Sequence, residues 1–344
     1  MKNFKDISWL VDEPVYRADS ALSYSTLSRF AREGFNKLDK LFEMIETPSL
    51  TFGSAVDSII TGGKEEFDSR FMVAEFPSVS DSIVEVVKLL FNEFGATHKT
   101  LSSIPDIEVI GFAGQCNYQN NWKPETRAKV IKEKGEGYYQ VLHVAGDKTI
   151  LSTETYNDVT NAVNALKTSS ATKEYFAPDN PFDSTIQRFY QLKFKTELHG
   201  INFRCMADLL YVNHADKTVL PIDLKTSGKP EWEFYKSFVE WRYDIQARLY
   251  WRIIRKCMDE SEFADYRLLD YKFIVVNKKT LVPLVWEFLE TTCNGPLVYG
   301  AENHIQLQDP EVIGAELMEY LNTPHKVPIG IMDNNTLEDW LRKL

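Results

Sequence analysis

Residues 201–250 read INFRCMADLLYVNHADKTVLPIDLKTSGKPEWEFYKSFVEWRYDIQARLY, and this stretch decides the fold. Its first part is rich in β-branched and aromatic residues and predicts a strand over 201–213. HADK (214–217) reads as a turn and TVLPIDLKT (218–226) as the next strand. Just upstream, STIQRFYQLKFKTE (184–197) alternates apolar and polar residues, and His199-Gly200 supplies the turn between. Three strands joined by short turns make an antiparallel meander. The pattern then changes, and 231–258 reads as one long helix rich in aromatic residues.

Working outward, 267–278 and 281–289 return to strand, and 309–322 reads as a late helix. Ahead of the meander, residues 25–46 predict a helix, with Leu27, Phe30, Phe35, Leu38, Leu41 and Phe42 near helical spacing. Residues 51–62 predict a shorter one, stopped by Gly62-Gly63, and 82–95 another. Residues 100–121 show no clear period and read as a loop-rich insertion. Residues 122–137 are polar. Ser152 or Thr153 is a suitable cap for a helix reaching about Lys167. Helices, then strands, then a helix and more strands predict an α/β fold: a mixed central β-sheet flanked by helices, with helical insertions.

The 344 residues carry a net charge of −11, which argues against a protein that coats nucleic acid nonspecifically. The acid is uneven: residues 259–344 hold 15 Asp and Glu against 7 Lys and Arg. The rest is nearly neutral, so charge does not exclude a nucleic-acid substrate. No apolar run approaches the length of a membrane span, and the N-terminus has no signal-peptide pattern. A cytoplasmic protein without membrane contact is expected. Cys116, Cys205, Cys257 and Cys293 have neither zinc-knuckle nor CxxC spacing and read as buried or incidental thiols.

Asp208 sits between Ala207 and Leu209 in one apolar strand, and Asp223 between Ile222 and Leu224 in the next. Lys225 lies two positions beyond Asp223, on the same face of its strand. The short turn between the strands can bring all three together. Such a group suits a Mg²⁺ or Mn²⁺ ion, with a lysine to offset charge developing on a phosphate. The same residues could equally form a partly buried Asp–Lys structural pair. On the helix that follows, Gln246 and Tyr250 are four apart and share a face. A glutamine amid aromatics needs partners if buried.

FRCMADLLY, PIDLKTS and WRYDIQARLYW together resemble the PD-(D/E)XK nuclease superfamily, with its restriction-endonuclease-like core. Within it they resemble the RecB-like branch, and specifically the phage and prophage exonucleases of the exonuclease VIII (RecE) type. SYSTLSRF and TFGSAVDSII are similar to upstream helices of that group, and the likeness runs in order over about 23–277. It implies one nuclease domain: N-terminal helices in 1–63, an elaboration in 64–180, the catalytic sheet and QxxxY helix in 181–290, and an acidic region in 291–344. It implies that Asp208, Asp223 and the Leu224 carbonyl hold the metal and that Lys225 is catalytic. Gln246 and Tyr250 would help hold DNA and the site. Asp57 stands where many relatives carry a metal-ligating His. Arg29, Arg32, Arg127, Arg242 and Arg248 are candidate phosphate contacts, with Lys123 and Lys129, and Trp122 or Trp241 is a candidate for stacking on a base. No iron–sulfur cluster is expected. The implied activity is metal-dependent exonucleolytic hydrolysis of duplex DNA from 5′ to 3′, leaving 3′ single strands. A ring-shaped homo-oligomer and a single-strand annealing or recombinase partner are implied with it. The alternatives are an endonuclease or single-strand exonuclease of the same superfamily, and an inactive nuclease fold that binds DNA.

Overall fold

Apolar alternation and tight turns produce long strands, and these organise the chain. The computed structural model describes residues 3–35, 38, 41–42, 47–75, 79–295, 297–299 and 305–322. Helices α1 (Glu13–Ala18), α2 (Tyr24–Glu33) and α3 (Pro48–Arg70) come first. They are followed by β1 (Phe71–Val73), α4 (Asp81–Phe94), α5 (Asp106–Gln115), α6 (Pro124–Ala145), β2 (Thr149–Leu151) and α7 (Thr153–Thr168). The meander is β3 (Ile186–Leu198), β4 (Ile201–Asn213) and β5 (Thr218–Ser227). Then come α8 (Phe234–Glu240), α9 (Tyr243–Asp259), β6 (Arg267–Leu268), β7 (Tyr271–Asn277) and β8 (Leu284–Phe288). The last elements are α10 (Glu290–Asn294), β9 (Leu297–Tyr299), β10 (Ile305–Leu307) and α11 (Pro310–Asn322). The chain divides into two compact units, Met1–Gly53 with Ala162–Leu344, and Ser54–Asn161. The second therefore has bounds different from the 64–180 expected for the elaboration.

In the first unit the main sheet has the order β3-β4-β5-β7-β8, with β6 beside the start of β5. β3, β4 and β5 are antiparallel, β5 and β7 parallel, β7 and β8 antiparallel. A parallel neighbour requires a crossover, which α8 and α9 supply. Ile245, Leu249, Ile253 and Ile254 of α9 join Phe194, Phe203, Cys205 and Phe273 of the sheet and Leu27 and Phe30 of α2 in one core.

Two expected helices are shorter than the sequence suggested. The helix from residue 25 ends at Glu33, because Gly34 takes φ +62° and ψ −150°, a conformation suited to glycine. Residues 36–37, 39–40 and 43–46 of the expected helix lie outside the described residues. The helix expected over 231–258 is broken at Arg242, whose backbone is left-handed with φ +54°. Its guanidinium reaches forward to Asp244, Nε to Oδ1 at 2.8 Å and Nη2 to Oδ2 at 3.1 Å, and holds that break.

The second unit pairs β1 with β2 in parallel and packs α4, α5 and α6 around Val86, Val87, Leu90, Val109, Ala113, Ala128, Ile131 and Tyr139. Gly135 allows the close approach of α6, since a Cβ there would meet Val87 Cγ2 at 2.6 Å. The loop expected over 100–121 is corrected: α5 occupies its centre. Only Val109 and Ala113 of α5 are buried, one turn apart, too few to register as a period. Of the expected acidic region 291–344, residues 296, 300–304 and 323–344 lie outside the described residues. Among the described residues no helix is long and apolar enough to cross a membrane.

Candidate active site

The β4–β5 ladder ends with Leu209 opposite Ile222. One step further, the same register sets Asp208 opposite Asp223. Backbone exchange has stopped there, and the Leu224 N–H donates instead to Asp208 Oδ2 at 2.8 Å. The ladder on the other side of β4 is interrupted at the same residue. Tyr190 pairs with Leu209 and Leu192 with Ala207, but Gln191, opposite Asp208, is skipped and has φ +54°. A long-chain residue in left-handed conformation inside a strand is strained, and such distortions concentrate at functional sites. Asp208 thus lies where pairing fails on both of its edges.

Asp223 is 1% exposed. Its Oδ1 accepts the Gln246 Nε2 amide of α9 at 2.5 Å, and its Oδ2 lies 2.5 Å from the Lys225 ammonium. Gln246 Oε1 beside it is buried and has no hydrogen-bond partner. Burial raises the Asp223 carboxyl above its ordinary range, and the Lys225 charge with the hydrogen bonds it shares with Lys225, Asp208 and Gln246 offsets this only in part. Burial also works against the Lys225 charge, but Asp223, Tyr243 and Asp208 outweigh it and raise the ammonium above its ordinary value. The ammonium lies 4.9 Å from the centre of the Tyr243 ring, a cation–π contact.

Asp208, Asp223, Leu224, Lys225 and Gln246 come together as the sequence arranged them. Tyr250 is buried, and burial raises its hydroxyl well above the usual range, with Asp223 and Asp208 contributing. Asp57 lies on α3, in the 54–161 unit. The arginines separate. Arg32 is exposed, and Arg29 donates to the Leu41 carbonyl. Arg242 is spent on Asp244. Arg248 is 1% exposed and bound to Asp309 and the Gly295 carbonyl. Arg127 is buried and donates to the Tyr118 carbonyl and to Asn120. The expectation of phosphate contacts at Arg248, Arg127 and Arg242 is thus corrected. Each guanidinium is committed to partners within the protein. Lys123 and Lys129 are exposed.

The sequence missed two residues. Tyr24 donates its hydroxyl to the Trp241 carbonyl at 2.8 Å. Its ionisation is pushed far up, by burial first, with Lys225, Tyr243 and Asp223 among its charged neighbours. Its ring lies 6.2 Å from the Tyr243 ring, which in turn carries the Lys225 ammonium, and this places it beside the site. Gln191 had no signal, because a single left-handed residue does not alter the apolar alternation around it.

Among the described residues no three His, Cys, Asp or Glu side chains form a metal-binding group. The donors that are present fit Mg²⁺ or Mn²⁺. Two carboxylates meet at a strand fork, Asp208 accepting the Leu224 N–H and Asp223 buried beside it. In an antiparallel pair a residue's N–H and C=O leave the same edge, so the Leu224 carbonyl is on the Asp208 side. Hard cations of this size are commonly held by one or two carboxylates with water and phosphate oxygens completing the shell.

No family model matches the chain, and a search of curated proteins finds no match. Among solved structures, the chain is similar to a Eubacterium rectale protein provisionally named an exonuclease. The identity is 12%, the TM-score 0.39, and the match covers 98% of this chain and 88% of that one. The class defined by the chain itself is an α/β protein with a mixed central sheet flanked by helices.

Proposed function

We propose that the chain is a metal-dependent DNA exonuclease that hydrolyses phosphodiester bonds at the Asp208–Asp223–Lys225 site. The observation that carries this reading is the strand fork. There two acids and a lysine converge around a fully buried carboxylate, and the buried Gln246 Oε1 beside it has no hydrogen-bond partner. A purely structural cluster would be expected to satisfy that oxygen.

Asp208, Asp223 and the Leu224 carbonyl would hold Mg²⁺ or Mn²⁺. Such an ion lowers the pKa of bound water and offsets phosphate charge. Lys225, kept charged by its acidic neighbours, faces the negative charge that builds on the phosphoryl oxygens. Gln246 fixes the rotation of the Asp223 carboxylate through its amide bond. Tyr243 supports the Lys225 stem from below.

Duplex ends as substrate, 5′ to 3′ polarity and 3′ single-stranded products follow from the resemblance to exonucleases of the exonuclease VIII type. A ring of subunits and a strand-annealing or recombinase partner come from the same source, as does the placing of Asp57 at the metal. The test is purified protein with Mg²⁺ or Mn²⁺ on linear duplex DNA, labelled at the 5′ or the 3′ end, beside a closed circle. Early loss of 5′ label with the circle intact is expected, and Asp223→Asn should remove both cleavage and calorimetric metal binding. Cleavage of the circle would make the enzyme an endonuclease. No cleavage and no metal binding by the natural chain would leave a DNA-binding module at most.

A further inference from the structure

We propose that Trp241 and Arg32 form a stacking platform for one nucleobase of the DNA strand held at the catalytic fork. The inference rests on the nuclease reading and adds a base contact to it. It starts from the left-handed Arg242. That single residue, fixed by Asp244, breaks the helix between Trp241, which is exposed, and Tyr243, which packs against the core. Tyr243 lies beneath the Lys225 ammonium at 4.9 Å. Trp241 is 42% exposed, a large apolar area left in water on a well-packed helix pair.

Trp241 is nevertheless held in place. Its carbonyl accepts the Tyr24 hydroxyl at 2.8 Å. The Arg32 guanidinium lies 4.7 Å from the centre of its ring. Arg32 is itself braced, its Nε donating to the Ser28 carbonyl at 3.0 Å. An indole and a guanidinium are the two side-chain planes on which bases stack irrespective of sequence. Fixing them in advance reduces the ordering entropy lost on binding. Trp232 and Tyr235 are also exposed on the segment leading to Trp241, while Phe234 is buried.

Distance supports the placement. Two residues of chain span at most about 7 Å, and successive bases of a stacked strand are about 3.4 Å apart. A base on Trp241 would therefore lie within a few nucleotides of a phosphate at Lys225. Arg32 lies over the Trp241 ring and Lys225 over the Tyr243 ring, so platform and site are joined through two residues on either side of Arg242.

The test is a cycle between side chain and base. Affinity is measured by fluorescence anisotropy without divalent metal, so that no cleavage is needed. The ligand is a short duplex with a single-stranded tail, and a lone abasic residue is moved one nucleotide at a time along the strand. The natural chain and Trp241→Ala are compared, with circular dichroism confirming that both are folded. Trp241→Ala should weaken binding to intact DNA about 5- to 100-fold, the range for one base–aromatic stack. At one abasic position it should cause no further loss. Trp241→Phe should recover most of the affinity, and Arg32→Ala should lose less than Trp241→Ala. Equal loss on intact and abasic DNA at every position, or no loss at all, would overturn the platform. If that happens while the natural chain still binds and cuts DNA, only the platform falls. If the natural chain binds no DNA, the nuclease reading falls with it.

Discussion

Helix α9 carries buried polar groups on two opposite sides, and the two sides are finished differently. Gln246 reaches Asp223 at the strand fork. Arg248, two residues on and about 200° around the helix, faces the other way with Arg252. On that far side the charges are close to saturated. Asp309 takes Arg248 at 2.6 Å and both Nη atoms of Arg252 at 2.7 and 2.8 Å. Arg252 also holds Glu311 at 2.8 Å and the Cys293 carbonyl at 2.9 Å. Arg248 Nε alone of that set lacks a partner. Burial opposes the Asp309 charge, but Arg252 and Arg248 more than compensate, and its carboxyl is held below the ordinary value of 3.8. At the fork the balance is reversed. Burial dominates, the Asp223 carboxyl is raised, and the buried Gln246 Oε1 lacks a hydrogen bond. A buried charge that is satisfied within the chain serves the fold, whereas one left short retains capacity for something from outside.

The largest expected effect comes from removing the cation of the unsatisfied side. Lys225→Met keeps the length of the stem and deletes the charge. Cleavage should fall by at least about a hundredfold, with the far-ultraviolet circular dichroism unchanged. Asp223 then loses its nearest counter-charge, and its carboxyl should rise further. A raised carboxyl adds stability below its unfolded pKa and loses it as pH climbs through the folded pKa. The stability deficit of this variant should therefore be larger at about pH 8 than at about pH 5, as read by thermal melts. Near-full activity in Lys225→Met would erase the distinction between the two sides.

The satisfied side should respond in stability, and with the opposite pH dependence. Asp309→Ala strands two largely buried guanidiniums and should cost about 3 kcal/mol at neutral pH. A lowered carboxyl adds stability above its unfolded pKa and loses it as pH falls through the folded pKa. The gap between variant and natural chain should therefore close as pH drops below about 4. Urea titrations across that range measure it. A deficit that stays constant with pH would mean that the Asp309 ion pairs are not its source.

These two sides were not equally legible in the sequence. Asp208, Asp223, Lys225 and Gln246 announced themselves because polar residues interrupted apolar strands or an aromatic helix. The meander was equally plain, since period-two alternation and short turns fix register locally. Arg248 reads in the sequence as a candidate phosphate contact. Nothing near it in sequence says that Asp309, some sixty residues away, would bury it. The breaks at Gly34 and Arg242 went unseen because one left-handed residue leaves the apolar spacing on either side intact. Helix α5 went unseen because its inward face is only two residues wide.

Gln191 gives the smallest effect and the sharpest comparison, since it concerns strain alone. A glutamine at φ +54° in mid-strand stores on the order of 1 kcal/mol. Glycine relieves that strain but makes the unfolded chain more flexible. Gln191→Gly should therefore raise stability slightly, by roughly 0.5 kcal/mol. Lys217 provides the control. It has φ +49° in the β4–β5 turn, and its ion pair with Asp265 is exposed and contributes little. Lys217→Gly should give a similar small gain with cleavage unchanged. Gln191→Gly should give its gain together with a drop in cleavage rate and in Mg²⁺ or Mn²⁺ affinity, because the distorted β3 backbone helps set where Asp208 sits. If both variants gain stability and neither loses activity, the interrupted ladder is an accident of the sheet. The fork between β4 and β5 would then suffice to position Asp208.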